Sequence, residues 1–149
     1  MTEVLFYHLQ NAPLERVLPQ LLERSLERGW KVIVKAGGPE RLEAINSALW
    51  TYSDDSFLPH GTRNDGPAAL MPVFLTVEDD NPNEANVLFL VDGAKPASIG
   101  DYKRCVLMFD GNDEMAVGAA REQWKAIKAE GHDATYWQQS TEGRWEKKA

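Results

Sequence analysis

The sequence predicts an α/β fold, a three-layer α/β/α sandwich around a largely parallel central sheet. Three observations carry that reading. Short apolar runs of strand type alternate with segments whose apolar residues recur at helical spacing. One of these runs, Val32-Ile33-Val34, is apolar without alternation, as expected of a strand covered on both faces. The first four elements come in the order strand, helix, strand, helix, which builds parallel pairs with helices packed on them. The chain has 149 residues and 43% hydrophobic content, which fits one domain over residues 1–149.

Taken in order, residues 4–9 form the first strand. Asn11 is placed to cap the next helix, with Pro13 in its first turn. Leu14, Val17, Leu18, Leu21, Leu22 and Ser25 make its inward stripe. Pro19 is expected to bend it or shift its start, and Gly29 to end it. Arg24 and Arg28 fall on its polar side. Residues 30–36 form the second strand, and Gly37-Gly38-Pro39 turns into a second helix over 40–50 with Leu42, Ile45, Ala48 and Leu49 inward.

Residues 51–71 have no period, so a long loop is expected there. Trp50, Tyr52, Phe57 and Leu58 lie close together on this bending segment. They plug the edge of their own core, or they form an apolar patch that a partner covers. Strands follow over 73–77, 87–91 and 104–109, with an acidic turn at 78–84 and a turn or short helix at 96–102. The last helix is capped at Asn112 and runs to about Glu130, where Gly131 stops it. A final strand covers 134–137, and a polar tail begins at about residue 140.

Net charge is −7, which argues against non-specific binding to a phosphate backbone but leaves room for a local basic patch. Cys105 is the only cysteine, so no disulfide and no thiolate metal cluster can form; it reads as a buried core thiol. No cofactor or metal is expected, since His8, His60 and His132 are far apart with no ligand-type partner at helical spacing. The start of the chain has no signal-peptide pattern, and no apolar run approaches the roughly 20 residues of a membrane span. A soluble, cytoplasmic protein is the expectation.

Two other classes fit the sequence less well. A nucleotide-binding regulator needs glycine in the first strand-to-helix turn, and Gln10-Asn11-Ala12-Pro13 has none. Gly37-Gly38 lacks the Lys-Ser/Thr ending of a phosphate loop. A small hydrolase would centre on His60 with Asp54, Asp55 or Asp65, but a histidine that pins its loop by hydrogen bonds is the simpler reading.

The last helix is more informative. Arg121, Lys125 and Lys128 stand at i, i+4 and i+7 on one face, and Trp124 lies beside that stripe. Val117, Ala120, Trp124 and Ile127 continue the inward face. The pattern fits a solvated face partly balanced by Glu122 and Glu130. It also fits a groove for an acidic peptide, in which an arginine forks onto a carboxylate.

Trp50 at the end of the second helix, then Asp55-Ser56-Phe57-Leu58-Pro59-His60, resembles the chi subunit family of bacterial DNA polymerase III. So do Val4-Leu5-Phe6-Tyr7-His8-Leu9 at the start, Gly66-Pro67 and Pro72-Val73, Arg121-Glu122-Gln123-Trp124-Lys125, and the ending Thr135-Tyr136-Trp137-Gln138-Gln139 with Gly143-Arg144-Trp145. The resemblance implies an adaptor without polymerase activity of its own. Its partner would be the acidic C-terminal tail of single-stranded DNA-binding protein, whose last residue is a Phe bearing the terminal carboxylate. The family's arginine falls on Arg121, its aromatic on Trp124, and Lys125 continues the basic surface. The family can have a lysine one turn before this arginine, and here that position is Val117, which implies either weaker tail affinity or substitution by Lys128. A second surface, at Trp50, Phe57 and His60, would take the psi subunit and so the clamp loader, or a helicase-like protein in its stead. DNA would be reached mainly through these proteins.

Overall fold

The computed structural model describes residues 2–10, 13–51, 59–62, 65–79, 81–91, 93–94, 99–100, 102–140, 142 and 144–148. Eight strands form one sheet: β1 (Glu3–Leu9), β2 (Val32–Lys35), β3 (His60–Gly61), β4 (Val73–Thr76), β5 (Val87–Leu90), β6 (Arg104–Asp110), β7 (Asp133–Gln139) and β8 (Trp145–Lys147). Three helices accompany them: α1 (Leu14–Glu27), α2 (Pro39–Thr51) and α3 (Glu114–Ala129). The strand order is β3-β4-β2-β5-β6-β1-β7-β8. All pairs are parallel except β7–β8, which is antiparallel. The expected α/β sandwich with a largely parallel sheet is what the chain adopts.

The layers follow from side-chain alternation. Leu18, Leu22, Ile45 and Leu49 from α1 and α2 pack with Val32, Val34, Val87, Phe89 and Val106 on one side. Ala120 and Ile127 of α3 pack with Val4, Phe6, Cys105 and Leu107 on the other. Strand β2 is buried on both faces, which is why its sequence does not alternate. Cys105 is a core thiol, and burial pushes its pKa up to about 12.

Several local details differ from the expectation. Asp113, not Asn112, caps α3: its side chain accepts from the backbone N–H of Met115 and Ala116. Helix α1 starts at Leu14 after Pro13 without a side-chain cap bond, and it runs continuously through the buried Pro19. Asn11 lies outside the described residues. Gly29, with φ +78, closes α1 as expected. The aperiodic loop contributes the two-residue β3 and one 3₁₀ turn, Ala68–Leu70. The polar C-terminal segment returns to the sheet as β8, held by the half-buried Trp145 against Tyr7.

The connections that leave β1 and β6 cross the sheet in opposite directions. The connection from β1 runs through α1 on one face towards β2, and that from β6 runs through α3 on the other face towards β7. Such a switch point leaves a crevice beyond the carboxyl ends of the two strands. A crevice of ≈ 770 Å³ lies there, with Leu9, Phe109, Glu15, Asp110, Asp113 and Ala116 among its lining.

Candidate functional site

Helix α3 is fixed on the sheet by Ala120 and Ile127, and this sets which flanks stay open. Val117 and Trp124 are half-buried on the flank towards β7. Arg121, Lys125 and Lys128 are exposed along the same flank. The Trp124 ring meets Phe6 of β1 edge-on at 5.3 Å and Tyr136 of β7 at 5.9 Å between centroids. Lys128 Nζ stands 5.6 Å from the Trp124 ring centroid, a cation–π contact. The structure therefore brings Val117, Arg121, Trp124, Lys125 and Lys128 onto one aromatic ledge edged by positive charge.

Arg121 has no ion-pair partner among the described residues. Lys125 reaches Glu122 at 3.7 Å, but both side chains are largely exposed, so that pair contributes little. The solvated-face reading thus accounts for Lys125 and leaves Arg121 available.

Three residues of this ledge were missed from the sequence: Phe6, His8 and Tyr136. His8 Nδ1 lies 2.6 Å from the Tyr136 hydroxyl. Burial holds the His8 imidazole below its ordinary pKa, and the Arg121 charge acts in the same direction. Burial raises the Tyr136 pKa, so the phenol stays protonated where it is hydrogen-bonded to the imidazole. The His8–Tyr136 pair is a rigid, uncharged floor beneath the Arg121 guanidinium. Anything negative that approaches the ledge meets an arginine charge that has no ion-pair partner among the described residues.

The large crevice lies on the opposite flank of α3, against Ala116 and Ala119 rather than Arg121 and Trp124. Its polar rim carries Glu15, Asp110 and Asp113, and Asp113 already takes the first amides of α3. Carboxylates on this rim would repel the phosphates of a nucleotide, and Arg41 is engaged by Glu15. Geometry here does not favour the nucleotide reading.

The second predicted surface is partly visible. Trp50, at the end of α2, is 51% exposed, so it does not plug the core. Its ring lies 4.5 Å from that of His60, which is buried on β3. Tyr52, Asp54, Asp55, Phe57 and Leu58 lie outside the described residues. Asp65 is taken by Thr62, whose backbone N–H and hydroxyl both donate to its Oδ2 at 2.8 and 3.0 Å. Those bonds hold the Asp65 carboxyl below its usual range. An oriented His60–Asp65 pair for hydrolysis would compete with them. No cluster of three metal-ligating side chains occurs among the described residues, and no described helix is long and apolar enough to cross a membrane.

Comparison with known proteins gives the same family on independent grounds. Residues 1–135 match the family model described as DNA polymerase III chi subunit, HolC. The chain is also similar to a protein of Rickettsia prowazekii (strain Madrid E) named "Probable DNA polymerase III subunit chi", 30% identical over 109 residues. That match covers 73% of this chain and 66% of the relative, so the chain spans about two thirds of the relative's length. The match of the family model over residues 1–135, the similarity to this relative and the resemblance of the turn and helix motifs agree: the chain belongs to the DNA polymerase III chi subunit family.

Proposed function

We propose that this chain is a non-catalytic adaptor that captures the acidic C-terminal tail of single-stranded DNA-binding protein on the α3 ledge. The observation that carries the reading is Arg121: an exposed guanidinium, without an ion-pair partner among the described residues, beside the Trp124–Tyr136 rings. The guanidinium forks onto the terminal carboxylate of the tail, and the last aromatic side chain packs on Val117 and Trp124. Lys125 and Lys128 draw in the acidic residues upstream, so binding weakens with salt. Val117 in place of a cation makes this site more apolar and leaves Lys128, held over Trp124, as the second charge.

The exposed Trp50, together with Phe57 and His60, takes the second partner. In this reading that partner is the psi subunit, which joins the chain to the clamp loader; a helicase-like protein would compete for the same patch. The two surfaces lie on different elements, α3 and the end of α2, so one chain can hold both partners and bridge coated single strands to the polymerase.

The test is a pair of titrations. A labelled tail peptide should bind the full chain, lose affinity in Trp124→Ala and Arg121→Ala, and keep it in Trp50→Ala. Psi should show the reverse dependence. Tail binding that survives both α3 substitutions sinks the assignment.

A further inference from the structure

A different surface lies across the sheet from α3. Helices α1 and α2 pack over β4, β2, β5 and β6 on that side, the end of α1 reaches Leu5 and Tyr7 of β1, and no described helix covers β7 and β8 there. Strand register sets Tyr7, Trp137 and Lys147 in one row across these strands, with Trp145 beside them. The Tyr7 and Trp145 rings meet edge to face at 4.9 Å. All three aromatic side chains are half-buried, so each keeps surface open to solvent.

Where this face runs under the end of α1, a cavity of ≈ 140 Å³ opens. Arg24, Arg28, Arg104, Tyr7 and Trp30 line it above an apolar floor. Arg28 and Arg104 each place a guanidinium carbon 5.0 Å from the Trp30 ring centroid. Glu3 holds Arg104 at 2.6 Å and is the acid that faces the cluster. Arg24 and Arg28 are exposed and have no ion-pair partner among the described residues. Arg104, Arg24 and Arg28 thus share one cavity with the Tyr7 phenol.

Two guanidiniums without an ion-pair partner among the described residues, beside a third that Glu3 holds, call for an anion on a chain of net charge −7. We propose that this face binds single-stranded nucleic acid directly, with backbone phosphates on Arg24, Arg28 and Arg104 and bases stacked on Tyr7, Trp145 and Trp137. An acidic peptide would satisfy the arginines but leave the row of rings unused. Bases of a duplex are already stacked on one another and cannot use it either. The site is independent of the α3 ledge, so either can fail without the other.

The experiment is fluorescence anisotropy of a labelled oligo(dT) with the full chain over a range of salt. Each phosphate contact on a single strand contributes about −0.7 to the slope of log K against log salt, so three arginines give about −2. In Arg24→Ser/Arg28→Ser the slope should fall to about −0.7 and low-salt affinity by about tenfold or more. That variant should keep the native circular dichroism spectrum and full binding of the tail peptide. Arg24→Lys/Arg28→Lys, which retains the charge, should recover most of the oligonucleotide affinity and covers the case in which the serine variant misfolds. Arg121→Ala should leave oligonucleotide binding unchanged. No binding by the native chain at low salt overturns the proposal, as do unchanged binding in the serine variant and loss of binding in Arg121→Ala. Equal affinity for a duplex of the same length, or displacement of the oligonucleotide by an acidic peptide that Arg24 and Arg28 hold as tightly, also overturns it.

Discussion

Replacing Gly111 by alanine puts a methyl group into the floor of the α3 ledge. A Cβ at this position would lie 2.0 Å from His8 Cδ2 and Nε2, and 2.8 Å from the Leu9 carbonyl oxygen. Nothing about the backbone forbids alanine, because the φ of Gly111 is not in the left-handed region. The cost is steric. His8 cannot swing away freely, since its Nδ1 is bonded to Tyr136 and its ring packs 5.1 Å from Phe109 and 5.8 Å from Tyr136. Overpacking of a filled site costs about 1–3 kcal/mol. Losing the His8–Tyr136 hydrogen bond adds about 1 kcal/mol. Gly111→Ala should therefore destabilise the fold by about 2–4 kcal/mol, less a few tenths recovered from the stiffer unfolded chain. Urea denaturation measures this, and a double-mutant cycle with His8→Ala isolates the cause. With the ring removed, only the 2.8 Å approach to the Leu9 carbonyl oxygen remains, so Gly111→Ala should cost clearly less in the His8→Ala background. An equal cost in both backgrounds would show that the His8 ring is not what the glycine accommodates.

Other outcomes follow from the same geometry. Asp113→Ala removes the acceptor for two α3 amides and should cost about 1 kcal/mol in urea denaturation, whereas Asn112→Ala should cost much less. His8 has a folded pKa below its ordinary 6.5, so its stabilising contribution is fully present above that pH and is lost as pH falls through the lowered value. His8→Gln should flatten the fall in denaturation midpoint as pH drops below 6.5, and an unchanged slope would mean that another group carries it. Phe57→Ala should leave tail binding intact and abolish capture of the second partner, and a variant that unfolds would instead make Phe57 part of the core.

The parallel sheet was legible because its strands are buried on both faces, and such strands read as unbroken apolar runs. Val32-Ile33-Val34 and Val87-Leu88-Phe89-Leu90 are of this kind. Strand β3 was not legible: two residues, His60 and Gly61, are too few to show a period, and pairing with Val73 and Phe74 alone defines them. Strand β8 hides in a polar segment, where Trp145 is the one apolar anchor and its docking partner Tyr7 is far away in sequence. The α3 cap shifted by one residue because Asn112 and Asp113 are both competent, and local hydrogen bonding chose Asp113.

The candidate site divides in the same way. The stripe of Arg121, Lys125 and Lys128 could be read from helical spacing, since one helix carries it. The ledge beneath it could not. Phe6 and Tyr136 are register partners in β1 and β7, and His8 lies two residues along the same face. Only the parallel pairing of strands from opposite ends of the chain places these rings under Trp124. The basic, aromatic face around Trp30 escaped notice for the same reason, because Arg24, Arg28, Arg104 and Tyr7 come from three separate elements.

Capture of a free chain terminus by Arg121 is most directly tested by a chemical cycle on both partners. Tail affinity is measured for the native chain and for Arg121→Ala, each with the tail peptide as free acid and as C-terminal amide. An arginine–carboxylate bond of this kind is worth about 1.5–3 kcal/mol, so either single change should weaken binding by roughly 10- to 100-fold. The two changes together should cost little more than one alone, since both remove the same bond. Losses that simply add, or an amide that binds as tightly as the acid, would contradict carboxylate capture by Arg121.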